Sequence, residues 1–83
     1  MAKAIKQFKI GEYAIGGIIQ VLIINDRITI KALDWDTKEE LTTQTFVNGE
    51  DTRSHIDIYL NDLTSCYYAD KVINWIESKM KLS

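Results

Sequence analysis

Proline is absent from the 83-residue chain, glycine occurs four times and cysteine once. Without proline there is no polyproline linker, and so few glycines exclude a collagen-like or glycine-rich chain. Cys66 has no second thiol for an intrachain disulfide or a cysteine zinc site. One unpaired thiol fits a reducing compartment better than a secreted one. Long apolar runs are also missing. The richest, Ile18–Ile24, is interrupted by Gln20. Even extended back to Ala14 it falls far short of the ~20 residues a membrane helix needs. Met1–Lys6 starts like the basic region of a targeting segment, but no apolar run or small-residue cleavage site follows it. The expectation is a cytoplasmic protein that does not enter membranes.

A basic excess is lacking too. Ten basic residues meet twelve acidic ones, for a net charge of −2. Duplex-binding domains usually carry a clear positive excess to replace counterions on phosphates, so the balance argues against double-stranded DNA. The charge is segregated along the chain. Residues 1–33 hold five bases and two acids, 34–70 hold nine acids and two bases, and 71–83 hold three bases and one acid.

What is present is a foldable composition, 46% hydrophobic and 27% charged, at a length that fits one domain over 1–83. Ala4–Ile10 reads as a strand ended by Gly11, with Phe8 and Ile10 on one face. Glu12–Ile15 is a short strand or the start of a bent one, and Gly16-Gly17 marks a turn, bulge or bend. Ile18–Ile24 is apolar on both parities, as a central strand with both faces partly covered would be. Asn25-Asp26 suits a type I′ turn, after which Arg27–Trp35 returns as a strand with Ile28, Ile30 and Ala32 on one face. Leu41–Val47 alternates with Leu41, Thr43, Thr45 and Val47 opposite Phe46. After a loop at 48–53, Ser54–Leu60 alternates as a further strand, with Ile56, Ile58 and Leu60 inward and His55, Asp57 and Tyr59 outward.

The tail changes period. Ala69, Val72, Ile73, Ile76 and Met80 repeat at the spacing of one helical face, with Asn61, Asp62, Thr64 and Ser65 as possible N-caps. Glu77 and Lys81 stand at i, i+4 for an ion pair. The expected fold is therefore α+β: a twisted, mostly antiparallel sheet of four or five strands within about 4–60, then one C-terminal helix over about 65–81 packed on one face. Tyr68 and Trp75 widen the helix stripe to roughly half the circumference, beyond the ~100° that packing on one sheet requires. An N-terminal strand or a second copy of the helix could cover the extra width. A chain this short is marginally stable alone, so a homo-oligomer, most simply a dimer, is expected, with Tyr68, Val72, Trp75 and Lys79 at the self-interface.

No constellation points to catalysis. His55, Asp57 and Cys66 include the residue types of a nucleophile and its base. The strand pattern, however, puts His55 and Asp57 opposite Ile56 and Ile58, and Cys66 on the apolar side of the helix as a packed thiol. Gly16-Gly17 lacks phosphate-loop spacing and leads into a strand rather than a helix. Asp34, Asp36, Glu39 and Glu40 crowd one turn. Lys38 interrupts any calcium-loop pattern, so a solvated hairpin tip is the plain reading. The alternative is an acidic patch that mimics nucleic acid toward a basic protein partner. No enzyme, cofactor or metal is expected.

A further alternative collects Lys6, Phe8, Lys9, Tyr13, Arg27, Lys31, Trp35 and Tyr59 into a surface for single-stranded nucleic acid, with bases stacking on rings and cations following the backbone. The order of four strands then a helix resembles that of the single-strand-binding transcriptional coactivator family, whose dimers present a curved sheet. That resemblance implies a nucleic-acid role for the exposed sheet face. The leading expectation is a small non-enzymatic binding or assembly module that self-associates.

Overall fold

The computed structural model describes residues 3–82. Met1, Ala2 and Ser83, which belong to the expected 1–83 domain and in part to the basic N-terminal region, lie outside the described residues. Four strands form one antiparallel sheet in the order β1 (Lys3–Lys9), β2 (Gly17–Ile24), β3 (Arg27–Asp34), β4 (Glu40–Val47). A 3₁₀ turn at Gly11–Tyr13 joins the first two, and helices α1 (Thr52–Leu63) and α2 (Cys66–Glu77) follow. The architecture is α+β.

The register explains which face is covered. Ile19 pairs with Ala32, Val21 with Ile30 and Ile23 with Ile28, and Phe46 lies opposite Ile28. Paired residues share a face, and these residues form the core with Ile56, Leu60 and Leu63 of α1 and Ala69, Val72, Ile73 and Ile76 of α2. Fully burying a side chain of this kind contributes about 1.5–3 kcal/mol, so this layer is the main source of stability. Tyr59 of α1 meets Phe46 of β4 at a ring-centroid distance of 5.8 Å, and Trp75 of α2 meets Phe8 of β1 edge-on at 6.2 Å. The two helices thus divide one face between them, α1 toward β4 and α2 toward β1.

Ser54–Leu60 is not a strand; it lies inside α1, so a second helix precedes the expected one. Thr52, Ile56, Leu60 and Leu63 are buried, at i, i+4, i+8 and i+11. Ile58, which a strand would turn inward with Ile56, is 64% exposed. The period-2 pattern of Ile56, Ile58 and Leu60 is a short coincidence inside a longer helical face. The buried Thr52 hydroxyl tightens the entry: it accepts from the Gly49 N–H at 2.7 Å and lies 3.0 Å from the Gly49 carbonyl. With two helices, the element order also departs from the coactivator-like arrangement.

Smaller departures have local causes. Glu12–Ile15 forms no strand, apart from an isolated bridge between Ala14 and Thr64. The Ile15 N–H donates to the Leu63 carbonyl at 2.9 Å, and the Thr64 hydroxyl donates to the Tyr13 carbonyl, so the segment is held by the end of α1. In the β2–β3 turn Asn25 takes φ of 57° but Asp26 does not become positive, which gives the φ signs of a II′ rather than a I′ turn. Helix α2 stops at Glu77, so Lys79 and Lys81 lie beyond it, and Glu77 meets Arg53 at 3.4 Å. Cys66 is exposed, not packed. Among the described residues no helix is long and apolar enough to cross a membrane.

The helical assignment of 52–63 separates two isoleucines that a strand would make equivalent. Ile56→Ala should destabilise by about 2–5 kcal/mol, whereas Ile58→Ala should stay within about 0.5 kcal/mol of the parent. Denaturant midpoints of the two variants measure this, and equal losses would refute the helix.

Candidate binding surfaces

Among the described residues no helix covers the second face of the sheet. The ladder places Lys3, Ile24, Arg27 and Val47 in one row across it, then Ile5, Leu22, Thr29 and Thr45, then Gln7, Gln20, Lys31 and Thr43. Ile5 and Val47 are 58% and 54% exposed, while Leu22 and Ile24 are half-buried. This end of the open face is apolar with a cationic margin. The middle row is polar. Nearby, the Thr29 and Thr45 hydroxyls bond at 3.0 Å, and Lys31 reaches Glu40 at 3.3 Å.

The far end is closed by the chain's own bend. Ile18 and Leu33 lie on the open side yet are buried. Gly16, at φ of 74°, sits so close that a Cβ there would fall 2.5 Å from both the Leu33 carbonyl oxygen and Leu41 Cδ1. Only glycine combines this backbone conformation with this clearance. The Gly16 carbonyl accepts from the Trp35 N–H at 2.7 Å, and the Trp35 side chain packs on Gly17. Leu41, Trp35 and Ile15 remain exposed around the bend.

The β3–β4 turn supplies the acidic end. One Asp34 carboxylate oxygen accepts from the Asp36 and Thr37 N–H groups, both at 2.9 Å. The Thr37 N–H first, and then that of Asp36, hold this carboxyl below its ordinary value of 3.8. Lys38 takes a left-handed φ of 64°, and its ammonium donates to the Trp35 carbonyl at 2.5 Å. Asp34 therefore serves its own turn and Glu40 is engaged by Lys31, which leaves Asp36 and Glu39 as the exposed charges of the expected acidic patch without an ion-pair partner among the described residues.

The structure disperses the expected nucleic-acid set. Lys9, Arg27 and Lys31 share the open face. Lys6 and Phe8 lie on the helix side of β1, because they pair with Val21 and Ile19. Phe8 packs on Trp75, Tyr13 stacks against Tyr68 at 5.6 Å, and Tyr59 stands on α1 with its hydroxyl 3.3 Å from that of Thr42. The expected self-interface is altered by the same contacts. Val72 has no exposed surface, and Tyr68 and Trp75 are half-buried beneath Tyr13 and Phe8. The chain's own N-terminal segment thus covers the wide flank of α2, and only Lys79 remains exposed, near the Trp75 ring.

Sequence reasoning missed Ile5, Leu22, Ile24 and Val47 as one surface. The alternation of Leu41–Val47 against Phe46 contained the signal, but joining it to β1 and β2 needed the register. Among the described residues, no group of three or more histidine, cysteine and acidic side chains could hold a metal ion. No protein family, curated protein or solved structure matches the chain.

Asp34 carries a pH signature. Its carboxyl is lowered in the folded state, so its stabilisation is present above the unfolded-state value and is lost as pH falls through the folded one. Asp34→Asn should therefore flatten the decline of the thermal midpoint below about pH 4, leaving the profile near neutrality parallel to that of the parent. Parallel profiles down to acid pH would exclude this role.

Proposed function

We propose that the protein is a small non-enzymatic assembly module that pairs with a second copy through the open face of its sheet. The uncovered apolar side chains Ile5, Leu22, Ile24 and Val47, spread over two adjacent rows, carry this reading. An apolar sheet face left in water favours association, and antiparallel sheets commonly bury one face and solvate the other with polar residues, which these positions are not.

The layout of the face favours a like partner. A two-fold axis running across the strands above the Gln7, Gln20, Lys31 and Thr43 row brings each end of one sheet over the opposite end of the other. Each strand then lies over its own copy, so Arg27 of β3 approaches Asp36 and Glu39 in the β3–β4 turn of the second copy, and Val47 of β4 meets its Leu41. Four strands of about eight residues present a projected area of about 500 Å². That is near the lower end of specific interfaces, so the dimer should be reversible and concentration-dependent.

A second reading has its own observation. Lys3, Lys9, Arg27 and Lys31 gather on this face with Glu40 as the only acid in their rows, a composition that also suits the backbone of single-stranded nucleic acid. Under this reading Trp35 fluorescence quenches on adding an oligonucleotide at low salt and recovers as salt rises.

Val47→Lys should shift the wild-type mass in light scattering from two chains toward one while the unfolding midpoint stays within about 0.5 kcal/mol. A wild-type mass of one chain at all concentrations would overturn the self-pairing reading, and an unchanged Trp35 signal would remove the nucleic-acid one.

A further inference from the structure

Among the described residues no strand pairs with either outer edge of the sheet, and the two edges differ in charge. Strand β1 presents Lys3, Lys6 and Lys9 and no acid. The opposite edge, β4, has Glu40 as its only charged residue. Beside it, the segment entering α1 and α1 itself carry Glu50, Asp51, Asp57 and Asp62 against Arg53, whose guanidinium meets Glu77 at 3.4 Å. Lysines on an edge strand prevent like edges from pairing, so β1 is guarded against β1, whereas β4 carries no such guard over Leu41–Val47.

The β4 edge also has a receptor. A groove of about 300 Å³ runs between β4 and α1, lined by Gln44, Phe46, His55, Ile58, Tyr59 and Asp62. Gln44 and Phe46 are on the helix-covered side of β4, and His55, Ile58, Tyr59 and Asp62 share one flank of α1. Helix α1 overhangs the edge there. A strand added to β4 would direct alternate side chains under that overhang. The exposed Ile58 is accounted for in the same way, as an apolar wall of a groove that a further strand would fill.

We propose that this groove receives strand β1 of a second copy, which joins sheets edge to edge. Topology suits the joint: in the β1-β2-β3-β4 meander each neighbour is antiparallel, so an incoming β1 beside β4 continues the same alternation. On the helix side β1 presents Ala4, Lys6 and Phe8. Phe8 is already packed on Trp75, whereas Lys6 is exposed and its ammonium rests only over the Phe8 ring at 5.6 Å. Lys6 of the incoming strand is the group that meets Asp62. Such an interface is heterologous, because β1 and β4 are different surfaces, so it propagates or closes into a ring instead of stopping at two copies. The inference rests on the reading of the protein as a self-associating module but uses a surface separate from the open face.

Sedimentation velocity over a concentration series of the full chain tests it with Lys6→Glu, Asp62→Lys and Leu22→Lys. At the upper end of the concentration series the wild type should grow beyond the face-paired dimer. Lys6→Glu and Asp62→Lys should each weaken that growth about tenfold or more in association constant. An equimolar mixture of the two should recover it, because each then offers the charge the other lacks. Both positions are exposed, and thermal midpoints check that the variants remain folded. Growth unaffected by either charge reversal, or a wild type that never exceeds two chains, would overturn the edge joint. An effect of Asp62→Lys without one from Lys6→Glu would also overturn it, and would indicate symmetric β4 pairing. Loss of mass in Leu22→Lys alone, on the open face of the central strand β2, supports the face reading and rejects this one, and loss only in the charge reversals does the reverse.

Discussion

One face of a four-stranded sheet lies under two helices and the other lies under none. The rest of the molecule follows from that asymmetry. Two helices side by side are wide enough to bury Ile19, Val21, Ile23, Ile28, Ile30 and Phe46, and among the described residues no third element lies over the opposite rows. The apolar residues on those rows therefore remain in water unless another molecule covers them. The Gly16–Gly17 bend partly compensates at one end, where it shelters Ile18 and Leu33, but it does not reach Ile5 or Val47.

The aromatic residues act as ties at the margins of the covered face rather than as a recognition surface. Phe8 against Trp75 and Tyr13 against Tyr68 fasten α2 to the N-terminal segment, and Phe46 against Tyr59 fastens α1 to β4. Ring pairs of this kind add about 0.5–1.5 kcal/mol beyond their buried area, a substantial share of the stability of so small a fold. The same ties account for the wide stripe on α2. Its breadth matches two contacts at once, one with the sheet and one with β1 and the turn after it.

Much of the sheet was legible in the residues. Dense β-branching in Ile18–Ile24, the Asn25-Asp26 turn and the return of Ile28, Ile30 and Ala32 mark the central hairpin, and the Thr-rich alternation of Leu41–Val47 marks its neighbour. Helix α2 was legible through Ala69, Val72, Ile73 and Ile76. Helix α1 was not, because Ile56, Ile58 and Leu60 satisfy period two and Ile56 with Leu60 equally satisfies period 3.6. Seven residues do not separate those periods, and the deciding positions, Thr52 and Leu63, lie outside the window. The candidate surfaces were less legible still. Lys6, Lys9, Arg27 and Lys31 were collected with Phe8, Tyr13 and Tyr59 by residue type, and the register and packing put Lys9, Arg27 and Lys31 on the open face and the others elsewhere.

By itself the residue pattern determined the strands of the central hairpin, the covered face of α2, the lack of any long apolar helix and the segregation of charge. All of these follow from composition or from contacts between residues near in the chain. Only the tertiary structure decided that 52–63 is helical, that the N-terminal segment packs on the Tyr68–Trp75 flank of α2, and that basic β1 and the acidic β4–α1 side form opposite edges of one sheet. Each of those depends on which distant groups displace water from a given side chain, and local periodicity carries no information about that.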